Sequence, residues 1–241
     1  MQQSTIKIVR LQSVDSTHKF AVRRIEANKV EECIIIAKKQ MSGVGRCGRS
    51  WISEEGNLFM SAIKKVPEDT NYGMLSLSIG CVVHKALSRY IPNNNLYLHW
   101  PNDVYYERSK IAGILITAID GIAVISIGIN VVSSPEISKT TSIKEVLGGC
   151  IISADKLLGN IISVWNDFLL IPFEGVRDYW LRNVNELNCT ITIKNGVDSL
   201  SGIFRGINDD GKLILERDGR DLLISSGDMF LSTERIVVNY G

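Results

Sequence analysis

Two arginines and three glycines lie close together in the segment Gly43–Trp51, which reads Gly-Val-Gly-Arg-Cys-Gly-Arg-Ser-Trp. A glycine-rich loop can present bare backbone N–H groups, and two guanidinium groups beside them would attract an anion. Trp51 closes the segment and offers an aromatic face on which a base or another planar ligand could stack. The segment therefore predicts an anion-binding loop that uses Arg46, Arg49 and Trp51. A mobile glycine hairpin with solvated arginines is the alternative for the loop taken alone.

The same glycines also spell G-x-G-x-x-G, the spacing of dinucleotide-binding folds. Such a fold needs a helix that opens at the third glycine. The residues after Gly48 have no amphipathic period, and Gly56-Asn57 interrupts them within eight residues. We therefore reject a dinucleotide-binding fingerprint, and the sequence contains no G-x-x-x-x-G-K-[ST] phosphate loop either.

A second polar group stands in Trp100-Pro-Asn-Asp103, directly after a predicted strand. A carboxylate beside an amide suits Mg²⁺ that arrives with phosphates, although an Asx turn at the strand end is the simpler alternative. Lys110 follows seven residues after Asp103, across a short β excursion that would bring the two together. Because Lys110 precedes the most apolar run of the chain, we expect it at the mouth of the core as an anion-binding group; an exposed edge-strand lysine is the alternative.

Hydrophobic periodicity predicts the elements that must position these groups. Strands are predicted for residues 6–11, 33–37, 58–63, 96–99 and 104–106, and helices for residues 72–90, 155–170 and 173–183. Asp15-Ser16-Thr17 is predicted to be the N-cap segment of a short helix. The stretch Ile111–Val132 carries one charge, and Asp120-Gly121 at its middle predicts two buried strands joined by a tight turn instead of a membrane-spanning helix.

From Glu186 onwards the chain shows only short strand patterns separated by turn signals such as Asp218-Gly219. About 50 residues of this kind fit a small β-barrel or sandwich of SH3-like size. We therefore predict two domains, residues 1–185 and residues 186–241.

Basic and acidic residues nearly balance, since 27 Lys and Arg against 26 Asp and Glu give a net charge of +1. Such a chain has no overall positive potential that would attract nucleic acid, so any anion must be bound by a local cluster of basic residues. The five cysteines form no C-x-x-C pair and have no zinc spacing, which indicates reduced thiols and a cytoplasmic protein. The first ten residues contain no apolar signal-peptide core.

Five segments occur in a characteristic order and spacing: Ser16-Thr17, Gly43–Trp51, Trp100-Pro-Asn-Asp103, Lys110-Ile-Ala-Gly-Ile-Leu115 and Gly128-Ile-Asn130. Together they resemble the biotin–protein ligases, over most of the chain. The resemblance implies an α+β fold, with a mixed β-sheet flanked by helices, like that of class II synthetases, followed by a small C-terminal SH3-like β domain.

By this resemblance the protein would use ATP and Mg²⁺ to convert biotin to biotinyl-5′-AMP. It would then transfer the biotinyl group to one lysine of a biotin carboxyl carrier domain. A carboxylate that attacks an α-phosphorus brings two anions together, so the site must neutralise charge, and Lys110 and Arg46 are the expected catalytic cations. Two alternatives stay open: a lipoate or octanoate ligase or transferase of the same superfamily, and a non-catalytic biotin or nucleotide sensor.

The resemblance also implies binding residues. Biotin is expected to contact Ser16, Thr17, Gln40, Gly43, Arg46, Lys110 and Gly113. The nucleotide is expected to contact Arg46, Arg49, Trp51, Asn102, Lys110 and Asn130. Asp103 is the expected Mg²⁺ ligand.

The sequence departs from the family pattern in three places. The family loop usually reads Gly-Arg-Gly-Arg-x-Gly-Arg, and Val44 replaces its first arginine, which in the family contributes to the biotin pocket and to loop ordering. Its loss implies either weaker biotin affinity or another residue in that role. His99 stands where many relatives carry lysine; we expect His84 and His99 to be structural or solvated. The catalytic pattern starts within the first ~15 residues, so by analogy we expect a monofunctional ligase without DNA binding. An apolar sheet edge would allow a homodimer.

Overall fold

A seven-stranded mixed sheet forms the centre of the larger domain. The computed structural model describes residues 6–136 and 139–231, without the side chain of Asn93. The strands of this domain are β1 (Ile8–Val14), β2 (Cys33–Gln40), β3 (Gly43–Val44), β4 (Ser50–Trp51), β5 (Leu58–Lys65), β6 (Leu96–His99), β7 (Asp103–Tyr106), β8 (Ser109–Ile119) and β9 (Ile122–Ile129). The sheet order is β1-β2-β5-β9-β8-β7-β6, whereas β3 and β4 form a separate hairpin. Only β1 and β2 pair in parallel, so the predicted mixed sheet is confirmed.

Helices cover both faces of this sheet. They are α1 (Thr17–Glu26), α2 (Tyr72–Leu87), α3 (Ile143–Val146), α4 (Ala154–Leu169) and α5 (Phe173–Arg182). Alternate side chains along a strand point to opposite faces. Ile34 accordingly belongs to the large core under α2, α4 and α5, while its neighbour Ile35 packs against α1 in a smaller core. The central strands are thus buried on both sides, which explains their nearly continuous apolar sequences.

The predicted elements are present with shifted ends. The first strand runs from Ile8 to Val14 instead of residues 6–11, and α2 ends at Leu87 instead of residue 90. The apolar stretch that carries Asp120 is the antiparallel pair β8–β9, and both turn residues, Asp120 and Gly121, have positive φ (46° and 74°). Within the described residues, no helix combines the length and the apolar character that crossing a membrane requires.

The C-terminal residues build a second, five-stranded antiparallel sheet. Its strands are β10 (Thr190–Asn195), β11 (Asp198–Ile207), β12 (Leu213–Arg217), β13 (Arg220–Ile224) and β14 (Asp228–Leu231). They lie in the order β13-β12-β11-β10-β14, so the small β domain is confirmed. Phe204 packs edge-on against Trp180 of α5, so the C-terminal domain shares the large core of the first domain. The domain boundary at residues 185 and 186 stays a prediction, and residues 1–5 and 232–241 lie outside the described residues.

Candidate active site

One cavity of about 290 Å³ opens between the β3–β4 hairpin and the central sheet. Every predicted site residue except Gly43 lines it: Ser16, Thr17, Gln40, Arg46, Arg49, Trp51, Asn102, Asp103, Lys110, Gly113 and Asn130. The fold thus brings together groups that are up to 114 positions apart in the chain (16 to 130). Their individual roles stay predictions.

The glycine-rich segment is a hairpin with a tight turn. Gly43 pairs with Trp51, and Arg46–Gly48 form a single 3₁₀ turn in which Cys47 has a positive φ of 54°. A Cβ on Gly43 would lie 2.5 Å from the Trp51 carbonyl oxygen and 2.9 Å from Gln40 Nε2. Gly43 therefore supports the site by allowing the hairpin to pack against Gln40. Val44, in place of the usual arginine, also lines the cavity.

The two loop arginines already have partners in the protein. Arg46 Nη1 donates a hydrogen bond of 2.8 Å to Asn102 Oδ1, which links the loop to the Trp-Pro-Asn-Asp segment. Arg49 Nη2 lies 2.9 Å from Asp228 Oδ1, and Arg46 Nη1 lies 4.0 Å from the same oxygen. Asp228 belongs to the C-terminal domain and was not predicted as a site residue. The loop thus contacts Asn102 in the first domain and Asp228 in the C-terminal domain. An anionic ligand would compete with Asp228 for the two guanidinium groups.

Lys110 and Asp103 meet as the sequence predicted. Lys110 Nζ lies 2.6 Å from Asp103 Oδ2, across the irregular β7–β8 pairing. The side chains are 26% and 16% exposed, so the pair is shielded but accessible from the cavity. Asp103 Oδ1 is buried and has no hydrogen-bond partner among the described residues, which leaves an acceptor free for a ligand or a cation.

The donor set can be tested against a magnesium ion. Within the described residues, no group of three or more metal-binding side chains exists, so a cage made by the protein alone is absent there. Asp103 supplies one carboxylate whose Oδ1 has no described partner, while Asn102 Oδ1 already accepts from Arg46. One carboxylate fits an ion that keeps several waters and otherwise binds phosphate oxygens.

The Trp51 ring packs over Gly113 and Gly128 of the sheet and forms one wall of the cavity. A Cβ on Gly128 would come within 2.5 Å of its ring, and a Cβ on Gly113 within 2.9 Å. Lys110 Nζ lies 5.4 Å from the centre of the ring, within range of a cation–π contact. The absence of a side chain at Gly113 thus makes room for Trp51 and Lys110. The predicted contact of Gly113 with biotin would come in addition to this role. Trp51 Nε1 is buried without a partner among the described residues, so it can still donate.

The opposite end of the cavity is uncharged and hydrogen-bonded. Thr17 donates from its backbone N–H (2.8 Å) and from Oγ1 (3.1 Å) to Gln40 Oε1. Ser16 caps α1, as predicted, and accepts from the backbone of Lys19. Neutral, buried donors and acceptors of this kind can orient a polar ring without binding a charge. Asn130 lies outside this end: it is 2% exposed and donates to the carbonyl oxygen of Thr141, whose backbone N–H donates to the Lys110 carbonyl oxygen.

Sequence reasoning missed three members of this polar group. Ser61 and Ser126 face each other in register on β5 and β9, with 2.8 Å between their hydroxyl oxygens. His18 Nδ1 lies 2.8 Å from Ser126 Oγ. A single serine in each of the two apolar stretches 58–63 and 122–129 was the available signal. Nothing local could pair them, because their contact depends on strand register.

The two other histidines are structural, since His84 is buried and the side chain of His99 is 11% exposed, so the alternative that they are solvated is wrong. His84 is fully buried, with Nδ1 2.9 Å from the Tyr179 hydroxyl and Nε2 3.0 Å from the Leu96 carbonyl oxygen, and burial lowers its pKa to about 4. Burial disfavours the charged form of His99, but the hydrogen bond to Glu186 (2.9 Å), the charges of Glu186 and Asp103 and the Met229 carbonyl oxygen together raise its pKa above the usual value. His99 thus links the strand before Trp100 to the C-terminal domain.

Comparisons with known proteins agree with this geometry. The sequence profile of the biotin/lipoate A/B protein ligase family matches residues 11–132, and that of the biotin protein ligase C-terminal domain matches residues 187–232. The bifunctional ligase/repressor BirA of Escherichia coli is 32% identical over 221 residues, which cover 86% of this chain and 68% of that protein. The biotin–[acetyl-CoA-carboxylase] ligase of Paracoccus denitrificans is 27% identical, over 81% of this chain and 89% of that protein.

A solved structure matches the whole architecture. The biotin protein ligase from Aquifex aeolicus, in complex with biotin and ATP, superposes with a TM-score of 0.80 at 28% identity. The match covers 94% of this chain and 98% of that chain. The likeness therefore extends over the catalytic sheet and the C-terminal β domain together.

Proposed function

The chain belongs to the biotin/lipoate A/B protein ligase family, and we propose that the cavity under the β3–β4 hairpin is its active site. The protein is an enzyme that activates biotin with ATP to biotinyl-5′-AMP and transfers the biotinyl group to a protein lysine. The observation that carries the assignment to this cavity is its division into an uncharged polar end and a cationic end. That division matches a neutral ring at one end of biotin and a carboxylate beside phosphates at the other.

Lys110 is the proposed principal cation of the first step. The biotin carboxylate must approach an α-phosphorus that carries negative oxygens, so repulsion raises the barrier. At an effective dielectric constant of ~20, one cation at ~4 Å is worth about 4 kcal/mol, roughly a thousandfold in rate. Asp103, 2.6 Å from Lys110 Nζ, holds the ammonium at the mouth of the cavity until the ligands arrive.

Arg46 and Arg49 are proposed to bind the phosphates of ATP. Both reach Asp228 in the C-terminal domain, and Arg46 also binds Asn102. A phosphate that replaces Asp228 as their partner would draw the hairpin over the ligand. This closure would protect the mixed anhydride, which water would hydrolyse. Trp51 would form the apolar wall of the closed site.

Asp103 is proposed to hold Mg²⁺ through its free oxygen, beside the phosphates. The ion would supply charge neutralisation of the phosphate oxygens. Asn102 would keep Arg46 in place, and Asn130 would face the nucleotide from the buried end of β9.

The second step needs a neutral amine from the acceptor. We propose a biotin carboxyl carrier domain as the acceptor, since the similar Paracoccus protein is named as an acetyl-CoA-carboxylase ligase. Its lysine would enter on the cationic side, where the adenylate carbonyl would lie near Lys110 and Arg46. A cytoplasmic location, a homodimer and the lack of DNA binding stay predictions.

Incubation with ATP, Mg²⁺ and either biotin or lipoate tests the proposal, with mass spectrometry for the acyl-adenylate. Biotinyl-5′-AMP is expected, and lipoyl-AMP is expected only in traces. Lipoyl-AMP as the main product would assign the chain to the lipoate branch of the family. If neither acid gives an adenylate, the proposed chemistry is wrong.

A further inference from the structure

An unbroken row of hydrogen bonds runs beneath the uncharged end of the cavity. Successive contacts join His18 Nδ1 to Ser126 (2.8 Å), Ser126 to Ser61 (2.8 Å), Ser61 to Thr17 (2.9 Å) and Thr17 to Gln40 (3.1 Å). All five residues are at most 9% exposed. Because bulk water does not compete at these positions, each hydroxyl must satisfy itself within the row or from the ligand.

The direction of the row is fixed at its Gln40 end. The backbone N–H of Thr17 can only donate, so the Gln40 atom 2.8 Å away must be the amide oxygen. The Thr17 hydroxyl donates its single proton to the same oxygen, and it must therefore accept from Ser61. Ser61 has then used its own proton, so it accepts from Ser126.

His18 must supply the next proton. Since the proton of Ser126 goes to Ser61, the 2.8 Å contact with His18 requires a protonated Nδ1. Thr117 Oγ1 lies 3.0 Å from Nε2 and can donate to it when the ring is neutral. Burial lowers the pKa of His18 to about 4, so the ring is neutral at pH 7. The geometry thus selects the neutral tautomer with the proton on Nδ1.

The other neutral tautomer would break the row. An unprotonated Nδ1 would require the proton of Ser126, and the Ser126–Ser61 and Ser61–Thr17 bonds would have to reverse. Thr17 would then donate to Ser61 and lose its hydroxyl bond to Gln40. The side chains would keep their positions, but a different set of protons and lone pairs would face the cavity.

We infer that His18 is a positioning residue that sets the hydrogen-bond polarity of the uncharged end of the cavity, and thereby its preference for ligand N–H groups. With every hydroxyl proton directed along the row, Thr17 and Ser126 have only acceptor lone pairs left for the ligand. Gln40 Nε2 donates one proton to Ser53 (2.8 Å) and keeps one for a ligand carbonyl oxygen. A ring with N–H donors beside a carbonyl, such as the cyclic urea of biotin, matches this pattern. The identity of the ligand rests on the proposed function, whereas the tautomer of His18 follows from the hydrogen bonds alone.

The first test needs no ligand. Long-range ¹H–¹⁵N correlation spectra of the histidine rings at pH 7 distinguish the two neutral tautomers. His18 is expected with its proton on Nδ1, and His84, whose Nε2 donates to the Leu96 carbonyl oxygen, is the internal reference for the opposite tautomer. A His18 proton on Nε2, or a doubly protonated ring at pH 7, would overturn the inference whether or not the protein binds biotin.

The second test compares two variants in binding and turnover. His18→Asn keeps a donor and an acceptor, whereas His18→Leu removes both. His18→Leu is expected to weaken biotin binding by about tenfold, with the KM for ATP unchanged, and His18→Asn to restore binding to within about threefold of wild type. Thermal unfolding checks that both variants are folded. If both variants bind biotin equally, His18 does not set the polarity.

A biotin analogue in which a ring oxygen replaces one urea N–H separates polarity from general damage. The wild-type protein is expected to bind it at least ~100-fold more weakly than biotin. The reason is that the ring oxygen of the analogue would face an acceptor lone pair of Thr17 or Ser126 in place of an N–H donor. In His18→Leu the hydroxyl of Ser126 is free to turn, so this ratio is expected to fall by about tenfold. An unchanged ratio would mean that His18 has only a structural role. If the wild-type protein binds no biotin, the proposed function fails, while the spectra still decide the tautomer.

Discussion

The two ends of the cavity are built in opposite ways. At the uncharged end, hydroxyl, amide and imidazole groups on α1, β2, β5 and β9 bind one another below the surface. At the cationic end, Arg46, Arg49 and Lys110 hold the carboxylates of Asp103 and Asp228. The uncharged end is therefore preorganised for a neutral ring, whereas the cationic end must exchange internal ion pairs for phosphate. Substitutions at the first should change biotin affinity, and those at the second should change ATP use.

Lys110→Ala should have the largest effect. We expect adenylate formation to fall about a thousandfold, since the charge nearest the reacting groups is lost. Single-turnover assays with saturating biotin and ATP measure the rate. Lys38→Ala, on the exposed end of β2, is the matched control and should be near wild type. Turnover of Lys110→Ala within tenfold of wild type would remove the cationic end from the mechanism.

The neutrality of His18 should appear in acid stability. Its pKa is about 4 in the folded protein against 6.5 for a free imidazole, so below pH 6.5 the unfolded state takes up the proton first. The free energy of unfolding should therefore decrease as the pH falls from 6.5 to 4. His18 accounts for at most about 3 kcal/mol of that loss, since each unit of pKa shift is about 1.4 kcal/mol.

Urea unfolding of the wild-type protein and His18→Asn at pH 7 and pH 4 measures this contribution. The variant should show the smaller loss, while His84, with a pKa of about 4, contributes equally to both proteins. Equal losses in the two proteins would mean that the fold does not lower the pKa of His18.

Gly128→Ala should disturb the cavity wall that Trp51 forms. The new methyl group would stand 2.5 Å from the Trp51 ring, so the ring or the strand must move. We expect the free energy of unfolding to drop by about 1–3 kcal/mol and adenylate formation to slow about tenfold. Gly159→Ala in α4 meets no atom within 4 Å and should stabilise the protein by up to about 1 kcal/mol. Normal activity in Gly128→Ala would show that the position of Trp51 is unimportant.

Asp228→Asn should have the smallest effect and the opposite sign. Without this carboxylate, Arg46 and Arg49 no longer need to leave an ion pair, so the KM for ATP should fall about threefold. Asp218→Asn, at an exposed turn of the same domain, is the control. Steady-state adenylation at varied ATP and salt measures the change. A KM that rises tenfold would mean that Asp228 is needed to order the loop.

The sequence predicts the cationic end better than the uncharged end, for a physical reason. Lys110 and Asp103 are separated by one short hairpin, so their distance in the fold follows from local geometry. Ser61 and Ser126 meet only because β5 and β9 pair in one register, which no local pattern encodes. Asp228 depends on how the two domains pack, which is further still from the sequence.

The elements followed the same rule. Long amphipathic helices such as α4 and turns with Asp-Gly were predicted within a residue or two, because periodicity and positive φ leave a local signature. The one-turn helix α3 and the two-residue strands β3 and β4 were missed, because they are too short to show a period.

A crystal structure with bound biotinyl-5′-AMP tests the division of the cavity most directly. The account predicts that the urea ring lies against Thr17, Gln40 and Ser126. It also predicts that the α-phosphate lies within ~4 Å of Lys110 Nζ, with Arg46 turned from Asp228 to the phosphate. A urea ring at the Lys110 end, or a phosphate beside Ser126, would contradict it.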